Sequence, residues 1–230
     1  MTDGVRAAAE GARTPSGSPT GAPRGAPAGP ALPALLVVMA LQIEAQELFE
    51  AAGVPVLYTG VGKINAAMAL TRRLADYRAA GQALPTVVNF GTAGSRHFAT
   101  GVMVACRRFV QRDMDVSALG FALGHTPFEA LPAQLEFAPL FPALPDGLCG
   151  SGDCFETGAA RLHCEVIEME AYALAKVCHV EGAAFGCAKY ITDGADHAAA
   201  NDWQSNLPRA AAGFLALYEQ LAARSGRQSL

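Results

Sequence analysis

The chain has 230 residues, of which 51% are apolar and only 17% charged, and its formal net charge is −4. That length and composition suit one domain with a large core. The acidic balance and the lack of any basic run argue against nucleic acid or an anionic membrane as the main partner, and no apolar run is long and charge-free enough to span a bilayer.

Residues 1–33 are built mainly from Gly, Ala, Pro, Ser and Thr with scattered Arg. Such a segment cannot bury enough apolar surface to offset its ordering entropy, so it reads as a disordered tail ahead of one domain over 34–230. Leu35–Met39 reads as a buried first strand rather than the core of a signal peptide, because no convincing small-x-small cleavage site follows. The pattern then predicts a helix over Gln42–Ala52, a strand over Val54–Tyr58, and a helix over Lys63–Ala80 with an apolar stripe at Ile64, Ala67, Met68, Thr71, Leu74 and Ala75. Thr86–Phe90 is a compact apolar strand running into Gly91-Thr-Ala-Gly94. Met103–Val110 and Leu148–Gly150 are shorter strand candidates, and the Pro-rich Pro127–Pro145 reads as a loop or lid. Cys164–Ile167 leads into a helix from Glu168, Ala183–Ile191 is another buried strand, and Leu207–Ala223 closes the chain as a helix with Phe214, Leu217, Tyr218 and Leu221 on one face. Strand then helix, repeated, means a mostly buried α/β sheet with helices on both sides.

Cys106, Cys149, Cys154, Cys164, Cys178 and Cys187 form no C-x-x-C pair, and several lie in apolar runs, where cysteine acts as a small hydrophobe. This usage fits a reducing cytoplasm. The five histidines, His97, His125, His163, His179 and His197, show no ligand spacing, so neither a metal nor an organic cofactor is expected.

The segment Val166-Ile-Glu-Met-Glu-Ala171 puts two carboxylates, Glu168 and Glu170, where a strand turns into a helix. Glu170 is expected in the first helical turn, where the positive end of the dipole keeps a carboxylate ionised and ready to accept two neighbouring hydroxyls, as on a ribose. A dipole-matched surface glutamate is the bland alternative. In α/β sheets ligands lie beyond the carboxyl ends of the strands, which directs attention to Ala40–Glu44, Tyr58–Lys63, Gly91–Ser95, Gly150–Phe155, Glu168–Glu170 and Thr192–Asp196. Gly60-x-Gly62 lacks the third glycine of a dinucleotide fingerprint, and Gly91–Gly94 lacks a following Gly-Lys-Ser/Thr, so neither a Rossmann site nor a P-loop fits.

Val166-Ile-Glu-Met-Glu-Ala171 and Ser151-Gly-Asp-x-Phe155, with the glycine turns in this order, resemble the purine nucleoside phosphorylase/nucleosidase superfamily, closest to its 5′-methylthioadenosine/S-adenosylhomocysteine nucleosidases, from Leu35 to Leu221. The resemblance implies a three-layer α/β/α fold with a mixed central sheet of the phosphorylase/hydrolase kind. It implies hydrolysis of a purine nucleoside to free base and sugar, a two-carboxyl logic moved to a nitrogen leaving group. On that pattern Asp193, in the Thr192-Asp193 pair, protonates N7 of the base, Glu44 activates water, and Glu170 holds the ribose 2′- and 3′-hydroxyls. Phe155 stacks on the purine, Met169 packs against the sugar, and Thr92, Ala93 and Gly94 line the ribose and water. Lys189 stands where the family carries an arginine near the water, and Val61, Val116, Leu119 and Trp203 line the pocket for the 5′ substituent. Core packing competes with pocket lining for the apolar positions, and an ordinary cap or exposed acid for Glu44 and Asp193. Asp196 reads as structural or as an N-cap.

A phosphorylase of this pattern has an arginine just before the Gly-x-x-Gly turn; here Val88-Asn89-Phe90 has no cation, which favours water as the acceptor. Departures include a shorter stretch between Glu44 and Thr59, Gln42-Ile43 before Glu44, Glu156 after Phe155, and Arg112 where histidine is frequent. They leave open a phosphate-dependent enzyme, a relative acting on futalosine-type or other nucleosides, or a nucleoside-binding protein without turnover. The resemblance also implies a homodimer.

Overall fold

In a computed structural model, the residues described are 32–154, 162–194 and 199–228, and they carry an eight-stranded mixed sheet. The strands are β1 (Leu35–Met39), β2 (Val56–Tyr58), β3 (Thr86–Gly94), β4 (Met103–Gln111), β5 (Gln134–Glu136), β6 (Asp146–Ser151), β7 (Val166–Glu168) and β8 (Phe185–Asp193). The helices are α1 (Leu48–Ala51), α2 (Lys63–Ala79), α3 (Ala171–Glu181) and α4 (Ala199–Gln228). The strand order is β2-β1-β3-β7-β6-β4-β5, and β8 pairs with both β3 and β4. Strands β3, β7, β6, β4 and β8 therefore form a closed circuit, which the strand-helix alternation does not foretell.

β1, β3 and β8 are largely apolar because both of their faces are covered. Leu36, Val38, Val87, Cys187 and Ile191 face Ala66, Leu70 and Leu74 of α2 and Leu174 and Cys178 of α3. Val37, Met39, Val88, Phe90, Ala188 and Tyr190 face Phe49 of α1 and Ala210, Phe214 and Leu221 of α4. Phe90 and Phe214 stack with ring centroids 5.3 Å apart, locking α4 onto the sheet.

Several expectations need correction. Gln42–Ala52 is not one helix: a 3-10 turn over Gln42–Glu44 is separated from α1 by Gln46 and Glu47, whose φ values are 49° and 59°. Ala45 and Phe49 are buried as a helical stripe requires, but the left-handed pair breaks the helix after Glu44, whose carboxylate accepts from Leu41 N–H behind it at 3.2 Å. The Pro-rich stretch contains β5, antiparallel to β4. α4 starts eight residues before Leu207, across a mostly polar segment with no apolar stripe to announce it, and it carries the exposed Pro208. Leu32 and Pro33 are anchored rather than part of a tail: Leu32 N–H donates to Gln82 Oε1 at 2.9 Å, and Pro33 O accepts from Tyr77 at 2.6 Å. Residues 1–31 lie outside the described residues.

Among the described residues no helix is long and apolar enough to cross a membrane, and no group of three or more His, Cys, Asp and Glu is placed to hold a metal. No disulfide joins any of the six cysteines.

Candidate active site

Strands running in two opposite directions end around one hollow. β3 and β7 are antiparallel and pair through Gly94 and Ile167, near the carboxyl end of each. β4 pairs with β8 through its first half and with β6 through its second, so its end also turns inward. The resulting cavity of about 170 Å³ is lined by Ala40, Leu41 and Glu44 after β1, Val61 after β2, and Thr92, Ala93 and Gly94 of β3. Arg112 after β4, Cys154 after β6, Ile167 through Glu170, Thr192 and Asp193 of β8, and Trp203 of α4 complete it.

Glu44 is only 4% exposed, and its carboxylate is held from three sides. Oε1 accepts from Thr92 N–H at 2.9 Å and from the Thr92 hydroxyl at 2.8 Å, while Oε2 accepts from Leu41 N–H. Trp203 Nε1–H donates to the same Thr92 oxygen at 2.8 Å, tying α4 to this corner. Asp193 closes β8; Thr192 donates its hydroxyl to Asp193 Oδ2 at 2.8 Å, orienting the carboxyl.

The two glutamates of the Glu-Met-Glu turn divide their work differently from the sequence expectation. Glu170 is not in the first turn of α3 but at its N-cap, and its side chain leaves the helix to accept Gly62 N–H at 2.8 Å. Glu168 takes the helix-terminal role: its Oε2 accepts from Glu170 N–H and Ala171 N–H at 2.9 and 2.8 Å. Glu168 also accepts from the Ser151 hydroxyl, which itself accepts Tyr172 N–H at 2.7 Å, and pairs with Lys189 Nζ at 3.1 Å. Burial tends to raise the Glu168 pKa, but the Lys189 charge and these hydrogen bonds outweigh it and hold the carboxyl below its ordinary range. For Lys189 burial pulls the other way, and the Glu168 charge keeps the ammonium well above its usual value. Glu170 gains less. Burial first, then the neighbouring Glu168 charge, push its pKa up to about 7, against the pull of Lys189 and Gly62 N–H. The expectation that the helix end keeps Glu170 firmly ionised is therefore corrected.

Glu44, Asp193, Glu170, Met169, Thr92, Ala93, Gly94, Val61 and Trp203 thus meet at one cavity. Lys189 does not line it. Lys189 is 2% exposed, and a side chain at Gly91 would come within 3.1 Å of its Nζ and 3.5 Å of Glu44 Oε1, so glycine leaves room there for both groups. Val116 and Leu119 do not line the cavity either; Leu119 is 72% exposed, in a turn beyond β4. Phe155, Glu156, Asp196 and His197 lie outside the described residues. Asn89 is buried between β1 and β8, its amide donating to Val38 O at 3.1 Å. Sequence reasoning gave no role to Glu168 or Cys154 and read Arg112 only as a departure. A lysine inside the apolar run Phe185–Ile191 was the available signal for Glu168, because a buried ammonium requires a carboxylate partner.

The sequence pattern of the phosphorylase superfamily matches residues 46–223. A 5′-methylthioadenosine/S-adenosylhomocysteine nucleosidase of Actinobacillus succinogenes is 32% identical over 180 residues, 69% of this chain and 75% of that protein. The Helicobacter pylori 5′-methylthioadenosine/S-adenosylhomocysteine nucleosidase structure superposes with a TM-score of 0.72 at 21% identity, covering 83% of this chain and 97% of that one. The futalosine hydrolase of Helicobacter pylori superposes with a TM-score of 0.72 at 21% identity, over 83% of this chain and 97% of its own. At those identities the structural likeness is one of fold.

Proposed function

The chain belongs to the phosphorylase superfamily, and from that premise we propose that it is a purine nucleosidase, hydrolysing the N-glycosidic bond of a nucleoside of the methylthioadenosine/S-adenosylhomocysteine type. The observation that carries the reading is the convergence of Glu44, Glu170 and Asp193 on one cavity. In the proposed reaction water attacks C1′ of the sugar as the bond from C1′ to the base nitrogen breaks, its electron pair leaving with the base. Asp193 gives a proton to N7, so the base departs neutral, and Glu44 takes a proton from the water. Glu170 accepts hydrogen bonds from the 2′- and 3′-hydroxyls, and its negative charge stabilises the oxocarbenium-like transition state. Thr92 and Leu41 orient Glu44, and Thr192 orients Asp193.

Water is a better acceptor than phosphate here. A phosphate dianion at the attacking position would sit against the buried Glu44 carboxylate, while the nearby Lys189 ammonium is engaged with Glu168. The proposed protein is cytoplasmic, in keeping with six cysteines that form no disulfide, and homodimeric. Support for pairing comes from a groove between α2 and α3 where Ile64 and Val180 are 79% and 66% exposed.

The test is release of free base from methylthioadenosine, S-adenosylhomocysteine, futalosine and adenosine, with and without phosphate. Asp193→Asn is expected to lose at least about 100-fold in rate while remaining folded. Near-normal turnover in that variant rejects the role of Asp193, and a strict phosphate requirement turns the reading into phosphorolysis. Thermal stabilisation by these nucleosides with no base released would favour a binding protein.

A further inference from the structure

The first turn of α2 brings the Gly62 amide to Glu170, and the groups holding that turn lie outside the cavity. Gly62 N–H donates to Glu170 Oε1, and the next amide, Lys63 N–H, donates to Asp153 Oδ1 at 2.8 Å. Two acids from distant parts of the chain thus take orphan donors at the positive end of one helix. Gly62 itself supplies no side-chain cap; its φ is 94°, and a Cβ there would come within 3.1 Å of Asp153 Oδ1. The turn must be fixed from outside.

The Lys63 side chain does this. Its Nζ lies 2.5 and 2.6 Å from the two carboxylate oxygens of Asp113 and 3.5 Å from Asp153 Oδ2. Asp113 also accepts Asp153 N–H at 2.8 Å. Burial tends to raise the Asp113 pKa, but the bonds from Lys63 and from Asp153 N–H outweigh it and keep the carboxyl below its ordinary range. The Lys63 and Asp113 side chains are 14% and 23% exposed, so solvent screens the pair only in part. The cluster joins the start of α2 to the segments after β4 and β6. Val61, two residues before Lys63, and Arg112 and Cys154, next to Asp113 and Asp153, form part of the cavity wall.

We infer that Lys63 is a positioning residue for the nucleosidase reaction: pinned to Asp113 and Asp153, it holds the first turn of α2 so that Gly62 N–H stays on Glu170 and the adjoining wall of the cavity keeps its register. The inference rests on the reading of Glu170 as the acceptor for the sugar hydroxyls. Gly62 N–H favours the ionised form of Glu170, so loosening the turn makes Glu170 harder to ionise and weakens its grip on the hydroxyls. A loss confined to general stability would leave the pH dependence of catalysis where it was.

The experiment measures kcat and KM from about pH 5 to about pH 9 for Lys63→Met, Asp113→Asn and Lys63→Arg. Lys63→Met and Asp113→Asn are expected to raise KM about tenfold with a smaller change in kcat, and to move the acidic limb of kcat/KM to higher pH. Lys63→Arg should restore both. Asp113→Asn keeps the test alive if Lys63→Met does not fold, because it removes the other half of the pair. Binding of the nucleoside to Glu170→Gln across the same pH range separates the two failures. A limb persisting there rejects the role of Glu170 and with it the inference; a limb lost there but unmoved in the Lys63 and Asp113 variants rejects the inference alone.

Discussion

Replacing Glu170 by Gln separates its charge from its shape. The amide oxygen can still accept Gly62 N–H, which Glu170 takes at 2.8 Å, but the charge is gone. Burial and the Glu168 charge push Glu170 from its ordinary 4.5 up to about 7 in the folded protein. The folded chain therefore holds this proton more tightly than the unfolded chain does. The contribution of Glu170 to stability is therefore unpenalised below pH 4.5, grows unfavourable as pH rises from there to about 7, and carries the full penalty above that. At about 1.36 kcal/mol for each pH unit, the interval is worth about 3 kcal/mol. Glu170→Gln escapes that penalty. Its Tm should exceed the wild type by roughly 6–12 °C at about pH 8, for a domain of this size, with the advantage shrinking steadily toward acid. Activity should fall, since a neutral amide neither stabilises the developing cation nor accepts at both of its ends. Thermal melts of both proteins across this pH range decide the matter. A variant whose melting difference from wild type does not grow with pH would refute the account of a buried, repelled carboxylate.

Two further predictions concern the frame of the site. Lys189→Met leaves Glu168 buried beside Glu170 without its cation, and should destabilise the fold by about 3–5 kcal/mol at neutral pH, partly recovered on acidification as Glu168 protonates. Denaturant titration at two pH values tests this; a loss independent of pH would mean that the methionine simply packs badly. Phe214→Ala removes the ring stacked on Phe90 and should lower stability by about 3–5 kcal/mol. In a folded preparation at reduced temperature KM should stay near wild type, because Phe214 does not line the cavity, and a large rise in KM would contradict that separation.

Much of the architecture could be read from the chain because burial leaves a local trace. β1, β3 and β8 announce themselves as largely apolar runs, and α2 through its stripe. The break after Glu44 left no such trace, since Ala45 and Phe49 are spaced as a helix would space them while Gln46 and Glu47 turn left-handed between them. The start of α4 was hidden for a related reason: its first turns are polar, and Pro208 looks like a stop although it lies inside the helix.

By itself, the order of residues determined most of the strand segments, that the sheet is covered on both sides, and which carboxyl ends could carry acids, because periodicity and burial are properties of neighbours in the chain. Only the tertiary structure decided how those acids behave. Whether Glu168 or Glu170 neutralises the start of α3, which of them receives Lys189, and how hard Glu170 is to ionise depend on groups separated by up to 108 residues and brought within a few ångströms. Electrostatic energy follows distance and solvent exposure rather than sequence separation, so those outcomes exist only once the strands have closed around the cavity.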